Sequence, residues 1–298
     1  MTDIVESPAI AEPLAVSAAP ALIPPQGRAR PAALLHGRGL VGLILVGLIF
    51  AAGLLAPLIA PYRPTAQLAG ANLVPAGLHH LFGTDEVDRD IFSRVLYGIR
   101  VDVIVVFVAV PIGALVGLVT GVLATIVRPA DVAVQRAFDV ILAFPPIILA
   151  IGFSAVLGTG LVPILIVVAA VEVPIFGRLV RSSILKVREL PFVQAAEVIG
   201  AGRWSIMWRH ILPNAAEPLL VQLALSMSVA IFLESAMSFI GIGVRPPQPS
   251  LGNIIAGSVS QLSYNAMYAV GPLVVVGMLV LGFQLIAQAI GARRRSLS

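Results

Sequence analysis

Apolar positions in this chain come in long uncharged blocks instead of the one-sided stripes of a soluble helix. The first block runs from Gly39 to Ala60. At about 1.5 Å of rise per residue, a helix of that length crosses roughly 30 Å of hydrocarbon. A second, Val103 to Val127, is equally clear. Val140 to Val171 is uncharged throughout and too long for one ordinary span. Gly158-Thr159-Gly160 lies inside it and supplies the turn chemistry that divides it into spans near 133–157 and 161–180. Pro218 to Ile242, interrupted by Glu234, gives a fifth span, and Ala266 to Ile290 a sixth. The pattern predicts an all-α membrane protein with six transmembrane helices in a domain covering 39–292.

Composition agrees. Of 298 residues, 58% are hydrophobic and 11% charged, against about 25% charged in a soluble domain, so a water-facing surface could not be assembled. Cysteine is absent, which excludes disulfides, thiolate metal sites and cysteine nucleophiles. His36, His79, His80 and His210 are too scattered for a metal cage. The formal charge of +4 does not point to nucleic acid, because the basic residues sit in short segments between apolar blocks. With the N-terminus in the cytoplasm, fourteen of the nineteen basic residues fall inside. These are Arg28, Arg30, Arg38, Arg128, Arg136, Arg178, Arg181, Lys186, Arg188, Arg203, Arg209 and Arg293 to Arg295. Outside are Arg63, Arg89, Arg94, Arg100 and Arg245. This bias predicts both termini cytoplasmic in a bacterial inner membrane. Residues 1–38, rich in proline and alanine, read as a flexible cytoplasmic tail, and 293–298 as a basic one. No charged start followed by an apolar stretch marks a cleaved signal peptide.

Segments 61–102 and 243–265 are then external, and the longest internal loop covers about 183–214. Within that loop Pro191 suits the first turn of a helix and Gly200 its end. A second short helix can run from Arg203 until Pro213 forces a stop. Trp204 and Trp208, four residues apart, fit a hairpin resting on the bilayer surface as one account of this loop.

The loop also resembles the cytoplasmic loop of inner-membrane permeases of ATP-binding-cassette importers. That family carries Glu-Ala-Ala, three residues, Gly, nine residues, Ile, one residue, Leu-Pro. Gln194-Ala195-Ala196, Gly200 and Leu212-Pro213 keep this spacing. Gln194 replaces the acidic residue, with Glu197 near enough to supply a carboxylate, and His210 stands at the Ile position. Gly83-Thr84-Asp85-Glu86, Arg89-Asp90, Ser93-Arg94 and Leu96-Tyr97-Gly98 are similar to the stretch before the second span in dipeptide, oligopeptide and nickel permeases, with Asp88 replacing the usual Gly. Glu234-Ser235-Ala236 through Gly243, then Pro246-Pro247 and Gly252-Asn253, are similar to that group's stretch after the loop. The resemblance spans about 38–292. It implies a loop that docks on an ATP-hydrolysing subunit through Gln194, Ala195, Ala196, Glu197, Gly200, Leu212 and Pro213. It further implies a second, similar permease, two ATPase subunits holding ATP and magnesium, and an extracytoplasmic substrate-binding protein.

Other chemistry is weighed against this frame. Lys186, the chain's only lysine, is flanked by Leu185 and Val187, so no P-loop exists here. Asp85, Glu86, Asp88 and Asp90 fail as a calcium loop, because Asp90 and Leu96 stand where Gly and a bidentate Glu belong. The plainer expectation is a helix start capped by Thr84. Asp139 is expected to pair with Arg136. Glu234 is expected near the outer interface, where burial is cheap, and Glu172 near the bilayer midplane. Gln222, Ser226, Glu234 and Ser238 recur along the fifth span as a polar stripe, open to helix packing or, with Glu172, to lining a pathway. The competing function is a stand-alone, ion-coupled secondary carrier with Glu172 as proton site, though no internal repeat or second midplane carboxylate is visible.

Overall fold

A computed structural model describes residues 36–292. The N-terminal tail up to residue 35 and Arg293 to Arg295 lie outside the described residues. The order is α1 (Gly37–Leu54), α2 (Ala56–Ile59), α3 (Ile91–Ile104), α4 (Val110–Ile126), α5 (Arg128–Ala143), α6 (Pro146–Leu157), α7 (Leu161–Arg188), α8 (Pro191–Val198), α9 (Arg203–Ile206), α10 (Leu212–Phe239), α11 (Leu251–Ser258) and α12 (Ala266–Gly291). Among the described residues, five stretches are long and apolar enough to cross a membrane: Gly37–Leu54, Ile91–Ile126, Leu161–Arg188, Ala215–Phe239 and Ala266–Gly291. All-helical spans are what hydrocarbon demands, since every backbone polar group must be satisfied within its own segment.

The expected third span is broken. Pro129–Ala143 and Pro146–Leu157 are bent by 88°, and a sixth crossing exists only if the pair counts as one. Phe144 adopts φ −94°, ψ 130° and Pro145 φ −56°, ψ 136°. Each precedes a proline, whose ring pushes the residue before it out of the helical region. Two adjacent residues without N–H groups then leave nothing to continue the ladder. The 12 residues of α6 reach only about 18 Å alone.

Two further boundaries differ from expectation. The second span begins at Ile91, joined to α4 by a π-turn over Val105–Ala109. Asp90 caps it, its carboxylate accepting from Ser93 N at 2.8 Å. Thr84 is therefore not the cap; its hydroxyl bonds Ala71 O and accepts from Val74 N at 2.8 Å. Pro213 does not stop the helix after Arg203 either. It falls in the first turn of α10, after a π-turn over Met207–Ile211. Proline removes one N–H and crowds the carbonyl four residues back, and a locally widened π-turn accommodates both.

Packing divides into three cores. One joins α1, α3, α11 and α12 around Phe50, Ile91, Ile99, Leu251, Leu279 and Phe283. A second joins α4, α6, α7 and α10 around Val110, Ile164, Val167 and Met237. The third lies under the α8–α9 hairpin. The α4–α7 contact is made by glycines: a Cβ at Gly113, Gly117 or Gly121 would stand 2.5 Å from the carbonyl oxygen of Ala169, Val173 or Gly177 respectively. Such small-residue stripes let membrane helices approach to backbone contact.

Candidate functional site

The hairpin between α7 and α10 is built from its own apolar face. Val193 and Ala196 of α8 and Ile206, Met207 and Ile211 after the turn pack on Val180, Ile184 and Val187 of α7. Gly200 makes the turn with φ +83°, a backbone region that a Cβ disfavours. With this core satisfied, the hairpin still exposes Val198 (87%), Ile199 (83%), Trp204 and Trp208. Gln194 and Ala195 are exposed beside them, and Gln194 Nε2 donates to Glu189 O at 3.3 Å. The loop signature thus splits. Gln194, Ala195 and Gly200 lie on the outer face, Ala196 is buried in the hairpin's own core, Leu212 is half-buried and Pro213 exposed. The side chain of Glu197 lies outside the described part. Ala196 is small because α8 must approach its own scaffold, which the spacing alone did not separate from approach to a partner.

The intramembrane stripe also divides. Gln222 Nε2 donates to Ser226 Oγ at 3.2 Å, and Ser226 Oγ donates to Glu172 Oε2 at 2.5 Å. Ser226 and Glu172 are both buried, so this chain of bonds pins α10 to α7. Glu234 belongs elsewhere: Ser238 Oγ donates to its Oε1 at 2.7 Å, and Ser238 Oγ also accepts from Val244 N at 3.1 Å. Glu234 is 0% exposed near the C-terminal end of α10, where α11 packs so closely that a Cβ at Gly252 would meet the Ser235 backbone.

Asp102 was missed, lying one residue before the uncharged block that marked the second span. A signal did exist. Ile91, Val95, Ile99, Asp102 and Val106 recur at helical spacing and are all buried, so the carboxyl occupies a place in an apolar stripe.

At the same end as α11, segments 61–90 and 243–265 clamp together. Asp85 accepts from Arg89 Nε at 2.7 Å, Arg89 N at 2.9 Å and Val87 N at 3.1 Å, with Arg94 Nε 3.7 Å away. Arg94 Nη1 donates to Pro64 O and Pro247 O, and Asn265 Nδ2 to Phe82 O at 2.9 Å. Asp88, standing where glycine is usual in the resembling permeases, has φ +64°. At the hairpin end, Asp139 pairs with Arg178 at 2.5 Å and more distantly with Arg136 at 3.7 Å. Asp131 binds Arg181 through two bonds of 2.7 and 2.6 Å. These contacts fix α5 against the lower part of α7.

Known proteins share this plan. Residues 109–296 match the family described as binding-protein-dependent transport system inner membrane component. The dipeptide transport system permease protein DppC of Alkalihalophilus pseudofirmus is 37% identical over 257 residues, covering 84% of this chain and 83% of that protein. The di/tripeptide transport system permease protein DppC of Pseudomonas aeruginosa is 36% identical over 231 residues, covering 75% and 76%. A solved inward-facing conformation of the MetNI methionine ABC transporter superposes with a TM-score of 0.56 at 21% identity, over 70% of this chain and 98% of that one. Nothing in these matches favours an ion-coupled carrier. An all-helical bundle, a self-supported hairpin with an apolar outer face and these relatives lead to one family: the chain belongs to the binding-protein-dependent transport system inner membrane components, multi-pass permease subunits of ABC importers that work with ATPase subunits and a binding protein.

Proposed function

We propose that this chain imports peptides, pairing with a second, similar permease above two ATPase subunits that hold ATP and magnesium, and that the α8–α9 hairpin is where ATPase motion enters the spans. Peptide cargo is supported by the peptide permeases to which the chain is similar. The docking reading rests on one observation. Val198, Ile199, Trp204 and Trp208 remain exposed on a hairpin whose own core is complete, and a large apolar patch outside the bilayer signals a partner. In this reading the hairpin and both termini are cytoplasmic, in line with the distribution of Lys and Arg. Residues 39–292 form one permease domain between two tails. Gln194, Ala195 and Gly200 belong to the docking face, Ala196 supports it from beneath, and Leu212 and Pro213 form the first turn of α10 at the hairpin's root. Glu172, Gln222 and Ser226 act near the pathway by holding α7 against α10.

The test replaces Ile199 by Asp. The exposed side chain contributes nothing to the hairpin core, so insertion and protein level should be unchanged. Uptake should fall at least tenfold, and the ATPase subunits should be lost on purification. Ala196→Arg serves as contrast: a charge inside the hairpin core should lower protein level as well. Normal uptake and normal co-purification in Ile199→Asp would leave the hairpin as a surface-resting element and overturn the docking reading.

A further inference from the structure

α1 and α10 both pack on α12, and between them, at the hairpin end of the bundle, lies a cavity of about 710 Å³. Its walls are largely apolar, built by Val221 and Leu225 of α10 and by Ala287 and Ala289 of α12. Val221 and Leu225 are four residues apart, so they line one face of α10 over about 6 Å. Polar side chains enter at the helix ends. Arg38 in the first turn of α1 and Gln288 in the last turn of α12 line the cavity, and both are exposed. Toward the membrane interior α1 and α12 close to backbone contact, a Cβ at Gly42 lying 2.6 Å from Gly282 O. The space is therefore apolar within and cationic where the spans end.

Arg38 lacks a countercharge there. Arg178 and Arg181 are tied to Asp139 and Asp131, whereas Arg38 makes no ion pair among the described residues. The flanking sequence supplies none, since no acidic residue lies between Glu12 and Asp85 or after Glu234. Glu217 of α10, one turn before Val221, does not line the cavity. Arg293 to Arg295 follow directly in sequence after Ala292, a lining residue. These features select among occupants. A free phosphate would leave the Val221–Leu225 wall uncovered, and a zwitterionic lipid offsets its phosphate with its own cation. An anionic phospholipid satisfies both parts, because a guanidinium fork matches phosphate oxygens and an acyl chain covers the wall. The volume lies within the range of about 300–1,000 Å³ usual for small-ligand sites, and basic pockets between spans are where anionic headgroups bind.

We propose that this cavity binds an anionic phospholipid, with the headgroup phosphate on Arg38 and an acyl chain along Val221 and Leu225. The site adjoins Pro218, three residues before Val221, where α10 lacks one i→i−4 hydrogen bond. A lipid seated there braces α10 against α1 and α12 just past this weakened turn. Binding stabilises the bundle by mass action. Any movement that changes the gap between α1 and α10 changes lipid affinity, and the linkage is reciprocal. The proposal needs only that these helices span a membrane. It stands whether or not the hairpin is the docking site and whatever the cargo.

The test uses the full chain in its purified transporter complex, reconstituted in phosphatidylcholine bilayers. This chain has no cysteine, so Leu225→Cys places one fluorophore on it at the cavity wall, read as the difference from the equally labelled complex without that substitution. Quenching is compared for brominated phosphatidylglycerol and brominated phosphatidylcholine. The anionic lipid should quench at a several-fold lower mole fraction. Arg38→Gln should cut that preference about fivefold, the factor equivalent to about 1 kcal/mol for one cation near an anionic surface. Arg63→Gln removes the same charge from segment 61–90 and should leave the preference intact. Phosphatidylglycerol should also raise the thermal midpoint of the unlabelled wild type more than phosphatidylcholine does, a readout that needs no variant. Equal quenching or an equal thermal shift from the two lipids overturns the proposal, as does a preference unchanged in Arg38→Gln or lost equally in Arg63→Gln. Quenching by neither lipid overturns it in favour of a protein partner over the cavity. Glycerol phosphate that abolishes the preference at matched ionic strength overturns it in favour of a soluble phosphate.

Discussion

A Cβ at Gly117 is the perturbation whose outcome the structure defines most sharply. It would lie 2.5 Å from Val173 O, 2.9 Å from Phe176 Cβ and 3.0 Å from Gly177 N, where uncrowded contact begins at 3.4 Å. The nearest obstacle is backbone, which no rotamer change can move. Gly117→Ala therefore forces α4 and α7 apart by roughly 0.9 Å, and a gap of that order forfeits a quarter to a half of each dispersion contact along the pair. Overpacking of this kind costs about 1–3 kcal/mol, with a melting shift of about 2–4 °C per kcal/mol for a domain of this order of size. Gly47 and Gly277 supply internal controls. They lie in α1 and α12, and a Cβ at either meets nothing within 4 Å. Alanine there should be neutral or slightly stabilising, since glycine is about 0.8–1.0 kcal/mol the poorer helix former. The assay is the thermal midpoint of the purified complex together with substrate uptake. Gly117→Ala should melt lower than either control and transport more slowly. If all three variants melt together, the α4–α7 contact is looser than described and the reasoning fails.

Two other outcomes follow from named contacts. Ser226→Ala removes the donor to buried Glu172, and a hydrogen bond to a charged group contributes about 1.5–3 kcal/mol. The complex should melt lower and import less, whereas Glu172→Gln keeps an acceptor for Ser226 and should be milder in stability; wild-type behaviour of both variants would detach this pair from transport. Reporters fused after Arg128 or within the loop at Arg203 should read cytoplasmic, and one near Gln261 external. An external signal at Arg203 would reverse the proposed orientation.

Most of the spans were legible because a bilayer imposes one strong rule, about twenty apolar residues in a row. The rule fails where tertiary contacts supply what lipid cannot. Arg94 and Asp102 ended the readable block at Val103, yet both are buried inside the folded chain, Arg94 against Asp85 and two carbonyls and Asp102 within the stripe of Ile91, Val95, Ile99 and Val106. Proline was misread in opposite directions. Phe144-Pro145-Pro146 broke a helix that hydropathy carried straight through, while Pro213 was absorbed by a π-turn that leaves no trace in composition. The hairpin's position was legible in its spacing. The division of Ala195 from Ala196 was not, because both are small and only the direction of α8 decides which one meets the scaffold.

The helices leaving the hairpin share a construction that bears on how motion would travel through them. Each contains a proline beyond the hairpin, Pro174 in α7 and Pro218 in α10, and each proline deletes an i→i−4 hydrogen bond and so weakens its helix locally. The π-turn over Met207–Ile211 adds a third irregular point at the root of α10. Just past both prolines, counted outward from the hairpin, Ser226 and Glu172 tie the helices to each other. Farther along, α11 packs against the far end of α10, where a Cβ at Gly252 would meet the Ser235 backbone. The lower arms are thus jointed and the upper arms pinned. A hairpin displaced by an ATPase subunit would bend the arms at the prolines first, and the upper bundle would follow only while the Glu172–Ser226 bond holds. Breaking that bond should uncouple ATP hydrolysis from uptake instead of abolishing hydrolysis, so Ser226→Ala is expected to raise the ATP consumed per substrate imported.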